Sequence, residues 1–149
     1  MSEAIDKLQK LIFGLKKWQP KIEEALDYAH GTHTFDDIVA MVMTNKVMFF
    51  SFDECFTVME KIDYPQYSTF HCFLAGGNLE AVLGIIPQMR AVGQVLGCKY
   101  LSMSGRKGWS KVLESQGWQY VSTAMFVELG DNDGQRWEAR DRVEAAQRH

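Results

Sequence analysis

The sequence predicts an α/β chain of the α+β kind, with a mixed central sheet flanked by helices. Three observations carry that prediction. Apolar residues recur at helical spacing near the start of the chain, as Ile5, Leu8, Leu11, Ile12 and Leu15. The period then changes to short runs rich in Val, Phe, Ile and Met between residues 46 and 75. Finally, a helical stretch leads into another apolar strand, and helix-before-strand requires a crossover to a parallel position.

Each element follows in order. Residues 3–17 carry the first apolar stripe. Pro20 suits a first helical turn, so a second helix is expected there, with Ile22, Ala25, Leu26 and Ala29 on one face and Gly31 as its stop. Thr34-Phe35-Asp36-Asp37 reads as an N-cap with acid in the first turn, opening a helix to about Thr44. Lys46–Ser51 and Glu54–Asp63 are antiparallel strands turned at Asp53, and Thr69–Ala75 is a third. From Leu79 to Leu96 the period is helical, with Gly84 and Pro87 interrupting it, so a turn and then a helix from Pro87 are expected. Gly97 is its C-cap. Lys99–Met103 is a strand, Trp109–Gln116 a helix, and Trp118–Leu129 a long final strand. The divisions are 1–19 as an N-terminal helix, 20–129 as the domain and 130–149 as a charged tail. In the tail Glu138/Arg142 and Glu144/Arg148 stand at helical i,i+4 spacing.

Composition narrows the function. A chain of 149 residues fits one domain. The net charge of −3 excludes the basic excess that strong, non-specific nucleic-acid binding needs. Cys55, Cys72 and Cys98 are odd in number and lack metal or redox spacing, which suits buried thiols in a reducing compartment. The N-terminus reads as a polar helix and not a signal peptide. No apolar run approaches the ~20 residues of a membrane span.

The element order, together with Gly97-Cys98-Lys99-Tyr100-Leu101 and Lys111-Val112-Leu113-Glu114-Ser115-Gln116-Gly117-Trp118, resembles the GNAT superfamily of acetyltransferase-like proteins. More narrowly, Leu74-Ala75-Gly76-Gly77-Asn78-Leu79 and Gly105-Arg106-Lys107-Gly108-Trp109 resemble GNAT-like proteins of tailed bacteriophages, some of them internal virion proteins. The resemblance covers roughly residues 20–129. It implies either an acetyl-CoA-dependent N-acyltransferase or a retained fold with another task.

The enzyme reading can be tested on residues. Such enzymes hold the acetyl-CoA pyrophosphate with backbone amides of an Arg/Gln-x-x-Gly-x-Gly/Ala loop at a helix N-terminus. Arg90-Ala91-Val92-Gly93-Gln94-Val95 imitates that loop, but Val95 replaces the small residue and no helix fits before Cys98. The loop in the right place is Ala75-Gly76-Gly77-Asn78, shorter and without Arg or Gln. It reads as a strand-to-helix turn capped by Asn78. As a cofactor site it would combine Gly76, Gly77, Asn78, Arg106 and Lys107. The resemblance places a Tyr acid where Leu113 stands, and Leu113 donates no proton. Glu60 and Asp63 are the carboxylates available as base, with Glu60 the catalytic candidate and a solvent-facing strand residue its alternative.

His30 and His33, with Asp36 and Asp37, read as turn and cap residues rather than metal ligands, and no metal is expected. Arg106 and Lys107, before a helix, suit an anion or an acidic protein loop, or else two solvated charges. Trp137 in the polar tail suits a protein contact. The expected function is therefore a non-catalytic GNAT-like phage protein, virion-associated or an adaptor. It would act on phage structural proteins or a host protein in the virion or host cytoplasm, using Arg106, Lys107 and Trp137 and no cofactor. The alternative is a divergent acyltransferase using acetyl-CoA.

Overall fold

The computed structural model describes residues 2–105, 108–121 and 124–130. In chain order the elements are α1 (Ser2–Tyr28), α2 (Phe35–Met43), β1 (Met48–Ser51), β2 (Cys55–Asp63), β3 (Ser68–Gly77), α3 (Leu79–Gly84), α4 (Ile86–Val95), β4 (Tyr100–Met103) and α5 (Gly108–Glu114). The sheet runs β1-β2-β3-β4. Its first three strands are antiparallel, and the α3–α4 crossover brings β4 parallel to β3. This is the mixed sheet with flanking helices that the sequence predicts.

Alternation along β2 and β3 builds two cores, one per face. Phe56 and Val58 face α1 and α2, where Leu15, Trp18, Ile22, Leu26, Ile38 and Val42 cover them. Cys55, Met59 and Phe70 face α3 and α4, under Val82, Ile85 and Met89. In α4, Gly93 lets the helix lie on Phe70, whose Cβ is 3.1 Å from the position a Cβ on Gly93 would take. The Arg90–Val95 string is thus part of a packed helix, and Val95 is 87 % exposed.

Three expectations are corrected. The helix break at Pro20 does not occur: α1 is continuous over 27 residues and crosses the boundary expected at residue 19. An interior proline costs ~3 kcal/mol. Leu15, Trp18, Ile22 and Leu26 lie on one buried stripe across it, and each contributes about 2 kcal/mol by leaving water. Burial therefore outweighs the lost hydrogen bond. Towards its start, α1 leaves Ile5, Leu8 and Phe13 exposed.

The long final strand over 118–129 is also not formed. Residues 118–121 and 124–130 have no regular structure. Met125, Val127 and Leu129 are more than 80 % exposed. Their residue types favour strands, but that preference reflects fit to a half-buried pleated surface and not a backbone rule. Phe126 instead stacks on His30 with ring centroids 4.5 Å apart. Ahead of the interruptions at Gly84 and Pro87, Leu79–Gly84 makes a short helix where only a turn was expected, capped by Asn78. The tail from 131, with Trp137, and the pair Arg106 and Lys107 lie outside the described residues.

Candidate functional site

The site starts with an irregularity in β3. Val58 pairs with Leu74 and Met59 with Cys72, so Phe73 is an extra residue, a β-bulge. Leu74 and Phe73 consequently both lie on the α1–α2 face. Beside the bulge, β3 and β4 pair only from Thr69↔Tyr100 to Cys72↔Met103. A last bond from Ser104 N–H to the Cys72 carbonyl, 3.3 Å, closes the ladder. Beyond it β3 continues to Gly77 paired with β2 and without β4, so the two parallel strands part at their carboxyl ends, the usual place for a ligand in such a sheet.

On the α3–α4 side of this opening lies a cleft lined by Met59, Cys72, Met89, Met103, Trp109 and Leu113, among others. Its volume is about 40 Å³. Small-molecule sites usually enclose ~300–1,000 Å³. Side chains already fill most of the space. Leu113, at the position of the expected acid, is 5 % exposed and forms an apolar wall of this cleft. Cys72 belongs to the same wall; burial pushes its thiol up to about 12.

Gly76, Gly77 and Asn78 join β3 to α3. The Asn78 N–H donates to the Glu54 carbonyl at 2.8 Å, and Asn78 Oδ1 accepts from the Ala81 N–H at 3.1 Å. A Cβ on Gly77 would lie 2.4 Å from the Glu54 oxygen, and one on Gly76 would lie 2.7 Å from the Phe56 ring. The two glycines are accounted for by β2 packing, and the Asn78 amide has a protein acceptor. The helix that follows is only six residues long. Among the described residues, this turn does not fit a pyrophosphate cradle.

On the α1–α2 side the opening is polar. Glu60 and His71 are directly opposed across the β2–β3 ladder, on the face of Val58. Desolvation raises the Glu60 carboxyl above its ordinary range, partly offset by the charge of His33. His71 is bonded at both ring nitrogens, Nδ1 to Ser102 Oγ at 2.8 Å and Nε2 to Ser104 Oγ at 3.0 Å. Ser102 Oγ is in turn 2.5 Å from Thr69 Oγ1. Burial lowers the imidazole pKa, favouring the neutral ring. Asp63 is apart from this group, at the exposed end of β2, where it accepts from Ser68 Oγ at 2.5 Å. That bond and nearby Lys61 hold it below the usual carboxylate range.

The His30–Asp37 string divides between two tasks. Thr34 and Asp37 form a reciprocal capping box on α2, Asp37 Oδ2 accepting from the Thr34 N–H at 2.8 Å. His33 packs edge-on against Phe73. Among the described residues, no three His, Cys, Asp or Glu side chains converge as metal ligands.

Of the candidates read from the sequence, Glu60 stands opposite His71 in the ladder, outside its hydrogen bonds; Gly76, Gly77 and Asn78 lie in the separate turn. The sequence reading missed Thr69, Ser102, Ser104 and the role of His71. Their signal was present as polar residues alternating at 69 and 71, and at 102 and 104. Only the β3–β4 register brings the two pairs together.

No family model matches the sequence, and no curated protein matches it. Solved structures do. The tetramutant of the BH1408 protein from Bacillus halodurans aligns with a TM-score of 0.58 at 11% identity, over 80% of this chain and 95% of that one. A structure described as a probable acetyltransferase aligns at 0.57 and 10% identity, over 79% and 93%. An acetyltransferase of Trypanosoma brucei aligns at 0.50 and 10%, over 64% and 78%. None of the described helices is long and apolar enough to cross a membrane. The chain shares the fold of these structures, a GNAT-like four-stranded mixed sheet between helices with a long N-terminal helix.

Proposed function

We propose that this chain keeps a GNAT-like fold for protein contacts and does not transfer acyl groups from acetyl-CoA. The observation that carries the reading is the Gly76-Gly77-Asn78 turn. Its Asn78 amide is spent on Glu54, and its glycines are explained by contact with β2. Leu113 supports it independently, since an apolar side chain stands at the expected acid. The exposed apolar residues Ile5, Leu8 and Phe13 on α1, and Met125, Val127 and Leu129 near the other end, support a contact role. Arg106, Lys107 and Trp137 complete the proposed contact set. The finer reading, from the phage resemblance, is a virion component or an adaptor that binds a phage structural protein or a host protein.

The test is thermal melting of the full chain with coenzyme A and acetyl-CoA at millimolar concentration. A ligand 100-fold above its Kd stabilises by about 2.7 kcal/mol, a readily visible rise in Tm. No rise is expected. A rise together with acetylation of an amine would establish the alternative, an acyltransferase with Glu60 as base. Mass spectrometry of purified particles against co-purification from infected cells separates the virion component from the adaptor.

A further inference from the structure

We propose that Ser104 is a nucleophilic hydroxyl, activated by His71, that accepts an acyl group from an activated ester. The proposal goes beyond the contact role and requires neither coenzyme A nor a protein partner.

The geometry is a directed chain of hydrogen bonds. With Nδ1–H donating to Ser102 Oγ at 2.8 Å, His71 Nε2 is left as an acceptor, and Ser104 Oγ lies 3.0 Å from it. Ser102 then has its own hydrogen for Thr69 Oγ1 at 2.5 Å. Each link has one donor and one acceptor. The ring is pinned at both nitrogens, as a base must be to stay aimed at a nucleophile. Ser104 is exposed while His71 is mostly buried, so the hydroxyl faces solvent and the base does not. Desolvation keeps the imidazole neutral and able to take a proton.

The location suits a substrate. Ser104 follows the last residue of β4, where β3 and β4 part. Met103 before it lines the apolar cleft. A Cβ on Gly105 after it would lie 3.0 Å from Met103 Cε and 3.2 Å from Trp109 Cδ1, so Met103 and Trp109 hold the backbone in place on the cleft side while the Ser104 hydroxyl stands on the opposite, polar side with His71.

The step balances without a redox partner. Ser104 Oγ attacks the ester carbonyl carbon, and the bond from that carbon to the leaving oxygen breaks. The Oγ proton passes to His71 Nε2 and then to the departing alkoxide or phenolate. The products are an ester on Ser104 and a free alcohol or phenol.

The probe is p-nitrophenyl acetate, applied to the full chain at neutral pH, with peptide mapping by mass spectrometry. Acetyl is expected on Ser104, lost in S104A and slowed about 100-fold in H71Q, the ordinary worth of a positioned base. S102A keeps the base but frees its ring, and an intermediate rate is expected. The chain unfolded in urea should leave Ser104 unmodified while its lysines react. An unmodified Ser104 in the folded chain overturns the proposal. So does modification at equal rates in S102A, H71Q or urea, because a serine that merely bridges β3 and β4 needs no base.

Discussion

The Asn78 amide and the Glu54 carbonyl are joined at 2.8 Å, and this bond ties the end of β3 to the start of β2. It makes the Gly-Gly turn a structural clasp. Gly77 has φ +107°, and its Cα faces the Glu54 oxygen so closely that no side chain fits.

G77A is therefore expected to destabilise by about 2–4 kcal/mol, combining backbone strain with a clash against main chain. Gly31 provides the control. Its φ is +64° with open space around it, so G31A should cost only about 1 kcal/mol. Urea denaturation of both variants measures the difference.

The two ends of α1 should respond differently to the same substitution. Ile22 is fully buried in the core, and I22A is expected to cost about 3–4 kcal/mol. Ile5 is 49 % exposed, and I5A should stay within about 0.5 kcal/mol for the isolated chain. If the exposed end of α1 binds a partner, I5A should weaken that complex, while the melting of the free chain stays unchanged.

Stability should depend on pH through His71. Its folded pKa lies below the ordinary 6.5, so the unfolded chain binds the proton first. The stability is fully present above about pH 6.5 and is lost as pH falls towards the folded value. Glu60 works in the opposite sense: its folded pKa is raised, so its contribution is lost as pH rises above 4.5. H71Q should remove the first dependence and leave the second. Urea midpoints across the acidic range separate them.

Cys72 should resist thiol reagents. Its pKa is pushed up to about 12 by burial, and its Sγ lies 3.3 Å from the Leu74 carbonyl. Since only the thiolate reacts, labelling in the folded chain at mildly alkaline pH should be far slower at Cys72 than after denaturation. Rapid labelling of folded protein would show that the cleft opens.

Local chemistry was legible in the order of residues. Thr34 announced an N-cap with acid in the turn behind it, Asn78 a helix cap, and the apolar runs in 54–63 and 69–75 two strands of one sheet. These depend on neighbours a few positions away, which the chain order supplies directly. Pro20 and the 118–129 run misled because in both the decision belongs to burial. The first is overruled by a stripe packed on the sheet, and the second lacks a partner ladder among the described residues.

The sequence by itself determined the run of antiparallel strands followed by a helical crossover to a parallel strand, the shortness of the Gly76-Gly77 turn and the apolar residue at 113. Tertiary structure alone decided where the amides of that turn point and which polar residues meet. Glu60 is set opposite His71 by the β2–β3 register, and Ser102 and Ser104 reach the imidazole through the parallel β3–β4 register. Register is set by the summed packing of whole strands, and a shift of one residue would turn every one of these side chains to the opposite face.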